Sequence, residues 1–141
     1  MEKIPLKNLN LCTPLTYKKI EALPSSIPEN GDFLLCYNLN PSQSRSFEPI
    51  SKQFLGNHVF TGVRQQENDL ELPAGDYLFM QYRDNRIMSR DKWLEMAIEQ
   101  QKDGLWERYS LQNLLYVRFL FEDEMYVTQV LRPYSLTAST I

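Results

Sequence analysis

Apolar residues recur along this chain with two distinct periods, and those periods divide it into strands and a helix. From Leu115 to Phe121 the pattern alternates, placing Leu115, Val117, Phe119 and Phe121 on one face, as in a strand with one buried side. Glu122-Asp123-Glu124 makes a polar turn and Met125–Leu131 returns, which predicts an antiparallel hairpin. Upstream, Trp93, Met96, Ala97 and Gln100 fall at i, i+3, i+4 and i+7, one face of a helix, and Leu94 and Ile98 widen that face. Ser89 stands where an N-cap belongs and Asp103-Gly104 where a helix stops, so the helix is predicted to run to about Lys102.

The rest of the chain is less regular. Residues 1–10 read as a first strand or a loose arm, and Leu11–Leu23 as a strand carrying Leu15, Tyr17 and Ile20. Two prolines and a glycine make residues 24–31 turn material. Asp32–Leu39 is a continuous apolar run too short for a helix, and reads as a buried strand. Asn40–Ser46 reads as a polar loop, and Phe47–Leu55 as one or two helical turns. Val59–Gln65 and Tyr77–Tyr82 read as strands, with a turn over Leu72–Asp76. The second half thus runs strand, helix, strand, strand, before a small, polar tail (Ser135–Ile141) that is expected to fray.

A length of 141 residues fits one domain with its own core. The aromatic share is 12%, with eight Tyr, seven Phe and two Trp, enough rings to fill a core or line a cavity. Net charge is −3 and the basic residues are scattered among acids, which argues against direct nucleic-acid binding, because that needs concentrated Lys and Arg. No apolar run approaches the roughly 20 residues that span a bilayer. Met1–Pro5 lacks a signal-peptide core, and a cytoplasmic location is the expectation. Cys12 and Cys36 stand in apolar stretches without CxxC spacing and are expected to be buried free thiols. His58, the sole histidine, reads as a surface turn residue. No nucleophile elbow, glycine-rich phosphate loop or metal-spaced cluster occurs, and no cofactor is implied.

Leu72-Pro73-Ala74-Gly75-Asp76-Tyr77, the spacing to a helix containing Trp93-Leu94, and the closing Glu124-Met125-Tyr126-Val127-Thr128-Gln129-Val130-Leu131 together resemble the effector-binding domain of the GyrI-like superfamily. That domain is the ligand-sensing half of multidrug-responsive MerR-type regulators. Val59–Val63 sits where the family has the strand before the turn. The resemblance covers residues 56–134, while residues 1–55 match only in general order. It implies an α+β fold in which two βαββ-like halves form one curved antiparallel sheet. Helices would pack on one face and a ligand pocket would open between the halves on the other. The chain departs from the family at Asp84-Asn85-Arg86, where a glycine is frequent, and at Gln129, which replaces an acid and removes one negative charge from the expected pocket. The family's winged helix and coiled coil are not found here; stand-alone members are ligand sequesterers or protein-inhibiting modules.

The resemblance implies a pocket glutamate at Glu107, beside Trp106. A carboxylate in an apolar cleft is costly unless paired, and would favour a cationic or hydrogen-bonding ligand. Tyr77, Phe79, Tyr82, Trp93, Tyr109 and Tyr126 are the further ring candidates for stacking and cation–π contact; Gln129 offers an amide. Plain core packing competes for each ring, most strongly for Trp93. The expected function is binding or sensing of a hydrophobic or aromatic small molecule, related to transcriptional regulation. The alternatives are a protein–protein inhibitory module of the gyrase-inhibitor type, and a small-molecule hydrolase using Glu107 with Tyr82 or Tyr109.

Overall fold

The computed structural model of the chain describes residues 2–38, 57–66, 69–106, 109–111 and 114–136. Among them are nine strands and one helix: β1 (Glu2–Leu11), β2 (Leu15–Lys19), β3 (Asp32–Asn38), β4 (Asn57–Arg64), β5 (Leu70–Leu72), β6 (Gly75–Asp84), α1 (Arg90–Trp106), β7 (Tyr109–Leu111), β8 (Leu114–Glu122) and β9 (Met125–Leu136). The strands pair antiparallel in the order β1-β6-β9-β8-β3-β4-β2-β5, and β7 adds to β9 beside this path. The result is a curled half-barrel, more heavily sheet than the α+β expectation implied.

Two short connections force the curl. β1 and β2 lie six positions apart on the path, as do β5 and β6, which in a flat sheet would separate each pair by about 29 Å at about 4.8 Å per strand. Yet only residues 12–14 join β1 to β2, and only Pro73-Ala74 joins β5 to β6. At about 3.8 Å per residue such links reach about 15 Å and 11 Å. The two ends of the sheet must therefore approach each other.

Curling gives the sheet two unlike faces. On the inside, Tyr17, Leu34, Cys36, Phe60, Leu72, Tyr77, Phe79, Tyr116 and Leu131 form one buried cluster that takes in strands from both ends of the path. On the outside, Phe33, Met80, Leu115, Val117, Phe119 and Val130 pack with Trp93, Met96 and Ala97 of α1 and with Ile27 of the β2–β3 loop. The helix face and the β8 alternation are as the spacing predicts, since Trp93, Met96, Ala97, Leu115, Val117 and Phe119 are all buried. Burial of side chains of this size stabilises by about 1.5–3 kcal/mol each.

Several boundaries differ from the sequence expectation, each for a physical reason. Leu11–Leu23 is not one strand: Pro14 supplies no N–H, β1 ends at Leu11, and β2 begins afresh at Leu15 on the far side of the sheet. The supposed turn over Leu72–Asp76 shrinks to Pro73-Ala74, because Leu70 and Leu72 flank an outward Glu71 and pair with β2, burying Leu72 completely. Helix α1 passes through Asp103-Gly104 to Trp106 and runs against β7, a strand the pattern missed; a helical glycine costs about 1 kcal/mol but does not forbid the turn. Cys12 is exposed, whereas Cys36 is buried. His58 lies exposed on β4, not in a turn, with Nε2 2.6 Å from Thr61 Oγ1. The loop and helical turns expected over 40–55 lie outside the described residues. So does most of the tail, although β9 reaches Leu136.

Gly62 marks the tightest point of the inner face. A Cβ there would meet the Phe60 ring and stand 2.9 Å from the Lys18 carbonyl on β2. Gly62→Ala should therefore lower stability by about 1–3 kcal/mol through overpacking, read as a lower urea midpoint at unchanged slope.

Candidate ligand-binding site

The seam between the sheet's halves, where β3 meets β8, is the place at which the resemblance expects a pocket. Leu34 pairs with Arg118 across it and Cys36 with Tyr116; Leu34, Cys36 and Tyr116 are buried. The rest of the seam holds a row of polar groups. Arg118 donates from Nε and Nη2 to Asp32 at 2.9 and 2.6 Å, and from Nη1 to Gln129 Oε1 at 3.3 Å. Gln129 Nε2 then donates to Gln81 Oε1 at 2.9 Å. The Tyr17 hydroxyl donates to Asp32 at 2.9 Å, and Arg64 stands 3.8 Å from the same carboxylate. Six strands contribute to this row.

The row is electrostatically self-consistent. Burial alone would lower the Arg118 pKa, but hydrogen bonds and charge from Asp32, with Tyr17 alongside, raise it above the usual guanidinium value. A bidentate guanidinium–carboxylate pair suits a site of low dielectric. The inner face at the seam is thus occupied by side chains that satisfy one another.

The residues singled out from the sequence are divided between the faces. Phe79 and Gln129 lie on the inner one, Phe79 buried in the cluster and Gln129 in the polar row. Tyr82, Trp93 and Tyr126 belong to the outer, helix-covered one. Trp93 is buried against Tyr37, with ring centroids 5.3 Å apart, and Tyr126 lies against Phe121 across the β8–β9 hairpin, at 4.7 Å. Trp106 closes α1 and Tyr109 opens β7; Glu107, between them, lies outside the described residues.

Of these, Tyr82 lines a cleft. It forms one wall of a cavity of about 170 Å³ between β6 and the edge of α1, together with Met88, Lys92, Glu95, Met96 and Glu99. The cleft follows from the helix register. Met96 belongs to the buried face, and Lys92, Glu95 and Glu99, spaced three and four residues from one another, stand on the flank beside it. Met88, just ahead of α1, is buried with Met96. The floor is therefore aromatic and thioether, and the rim carries two carboxylates and one ammonium. Glu95 and Glu99 escaped the sequence reading, because the helix pattern does not mark which flank of α1 lies beside β6. Arg118 escaped it too; a lone charge inside Leu115–Phe121 demands a buried partner, and Asp32 at the head of another apolar run supplies it. Among the described residues no three His, Cys, Asp or Glu side chains are placed to hold a metal ion, and no helix is long and apolar enough to cross a membrane.

The inner cluster titrates late. Burial pushes Cys36 from 9.0 up to about 11 and Tyr77 from 10.0 up to about 12, and raises Tyr17 and Tyr116 as well. The unfolded chain releases these protons first, so in alkali it binds fewer protons than the fold and stability falls as pH rises. Arg132, lowered to about 10 by burial, works in the opposite sense but is one group against four. The urea midpoint should be level near pH 8 and clearly lower by about pH 11, and Cys36→Ala should remove the part of the decline that begins near pH 9.0. Comparison with protein-family models, with curated proteins and with solved structures finds no match for this chain.

Proposed function

We propose that this protein is a small-molecule binding module that takes an apolar ring or short alkyl group bearing a positive charge. The site is the cleft between α1 and Tyr82. The observation that carries this reading is the composition of that cleft: Tyr82, Met88 and Met96 below, with Glu95 and Glu99 outnumbering Lys92 at the rim. Thioethers adapt to varied apolar shapes, and a carboxylate beside an aromatic face favours a cation. A volume of about 170 Å³ suits one aromatic ring, comparable to dry cavities that accept benzene, so a larger ligand leaves its remainder outside.

The resemblance to GyrI-like effector-binding domains supports the same class of function. β6, α1, β8 and β9 run strand–helix–strand–strand as a βαββ half would, with β7 intervening. In this reading the negative charge that Gln129 no longer offers on the inner face is supplied by Glu95 and Glu99 on the outer one.

Tetraphenylphosphonium, a lipophilic cation, should quench tryptophan fluorescence saturably, and the lipophilic anion anilinonaphthalene sulfonate should bind more weakly. Glu95→Gln with Glu99→Gln should weaken the cation by about tenfold while sparing the anion. Binding unchanged in that variant and in Tyr82→Ala would remove the cleft as the site; no saturable binding of either probe would overturn the proposed function itself.

A further inference from the structure

We infer that the inner face carries a second, separate binding site at its β5–β6 end, built for a flat, uncharged ring system that bears a carbonyl group. A cavity of about 240 Å³ opens there, framed by the Pro73-Ala74 link. Gly75, Tyr77, Leu114, Tyr116 and Pro133 line it. All five stand on the inner face: residues two apart in a strand point the same way, Tyr77 and Tyr116 belong to the inner cluster, and Pro133 pairs with Tyr77.

One hydroxyl in this cavity is unanswered. Of the tyrosines buried in the inner cluster, Tyr17 donates to Asp32 and Tyr77 to the Pro73 carbonyl. Tyr116 is only 3% exposed, yet its hydroxyl has no hydrogen-bond partner among the described residues. Its oxygen is not sealed from open space, and the space that Tyr116 lines is the cavity. Buried hydroxyls ordinarily find a partner, because leaving one unpaired is costly. A ligand that places an acceptor oxygen there meets a demand the fold leaves open.

The walls select a flat molecule without charge. The Tyr77 and Tyr116 rings lie 6.1 Å apart between centroids with their planes at 78°, a corner that offers a planar ring both face and edge contact. Pro133 is a rigid wall and Tyr77 is pinned through Pro73, so little side-chain entropy is lost on docking. A Cβ built at Gly75 would meet nothing within 4 Å, which marks the vacant space. No side chain facing the cavity is ionised. Asp76 projects to the opposite face of β6, where it accepts from Asn10 Nδ2 at 2.7 Å. Arg118, two residues beyond Tyr116, is committed to Asp32 and Gln129. Burial raises both tyrosines, so the floor carries no charge at neutral pH. An ion would lose its water here without finding a counter-charge. The volume exceeds the roughly 150 Å³ of a dry cavity that accepts benzene, which leaves room for two fused rings.

This site shares no residue with the cleft at α1, so either can fail without the other. The test uses 1-indanone, with indane, which lacks the carbonyl, as its control, followed by amide chemical shifts of the full chain. 1-Indanone should shift Gly75, Leu114 and Tyr116 saturably, and should do so equally in the Glu95→Gln/Glu99→Gln variant. Tyr116→Phe should bring 1-indanone down to the affinity of indane, a loss of about tenfold, while indane itself binds as before. Leu114→Trp, which fills the cavity, should abolish the shifts; should that variant not fold, Tyr116→Phe decides alone. Shifts confined to residues 92–99, a preference for the ketone that survives Tyr116→Phe, or 1-indanone binding no tighter than indane in the unaltered chain would each overturn the inference.

Discussion

Two connections too short for a flat sheet govern this molecule. Three residues carry the chain from β1 to β2 and two carry it from β5 to β6, each across six strand positions. Prolines stand in both links, Pro14 and Pro73, where no ladder hydrogen bond is asked of them. Once the sheet curls, side chains on its inner face converge. Tyr17 then reaches Asp32 two strands away, and the inner cluster gathers residues from both ends of the path.

Convergence also decides what the seam can contain. An arginine on that face cannot reach bulk water freely, and an isolated buried charge would cost several kcal/mol. The bidentate contact with Asp32, backed by Gln129 and Tyr17, answers that demand. A buried pair of this kind contributes little net stability compared with apolar residues, but leaving either partner alone is expensive. It ties side chains of β3, β8 and β2 to one another. With the seam occupied in this way, two cavities among the described residues lie at the margins of the sheet, one beside α1 and one at the β5–β6 link.

Much of the scaffold could be read in advance, because it depends on local pattern. The alternation from Leu115 to Phe121, the spacing of Trp93, Met96 and Ala97, and the apolar run from Asp32 all appear where periodicity put them. What could not be read depended on partners distant in sequence. Pairing of β1 with β6 or of β5 with β2 leaves no local mark, and β7 is three residues long. The candidate site was legible only in part. Aromatic identity pointed to Tyr82, but the same criterion admitted Phe79 and Trp93, whose rings fill opposite sides of one sheet. Glu95 and Glu99 gained their place from the way α1 lies over β6, which no single-strand or single-helix pattern encodes.

The curl itself can be measured directly. Spin labels at Asn10→Cys on β1 and Glu71→Cys on β5, with Cys12→Ser and Cys36→Ala removing the native thiols, report the distance between the two ends of the strand path by pulsed electron resonance. A flat arrangement of the same pairing would place these edges about 34 Å apart. The curled sheet predicts a narrow distribution below about 25 Å, given links that reach no more than about 15 Å. A distribution centred at or beyond the flat-sheet value would contradict the closure on which the filled seam and both marginal cavities depend.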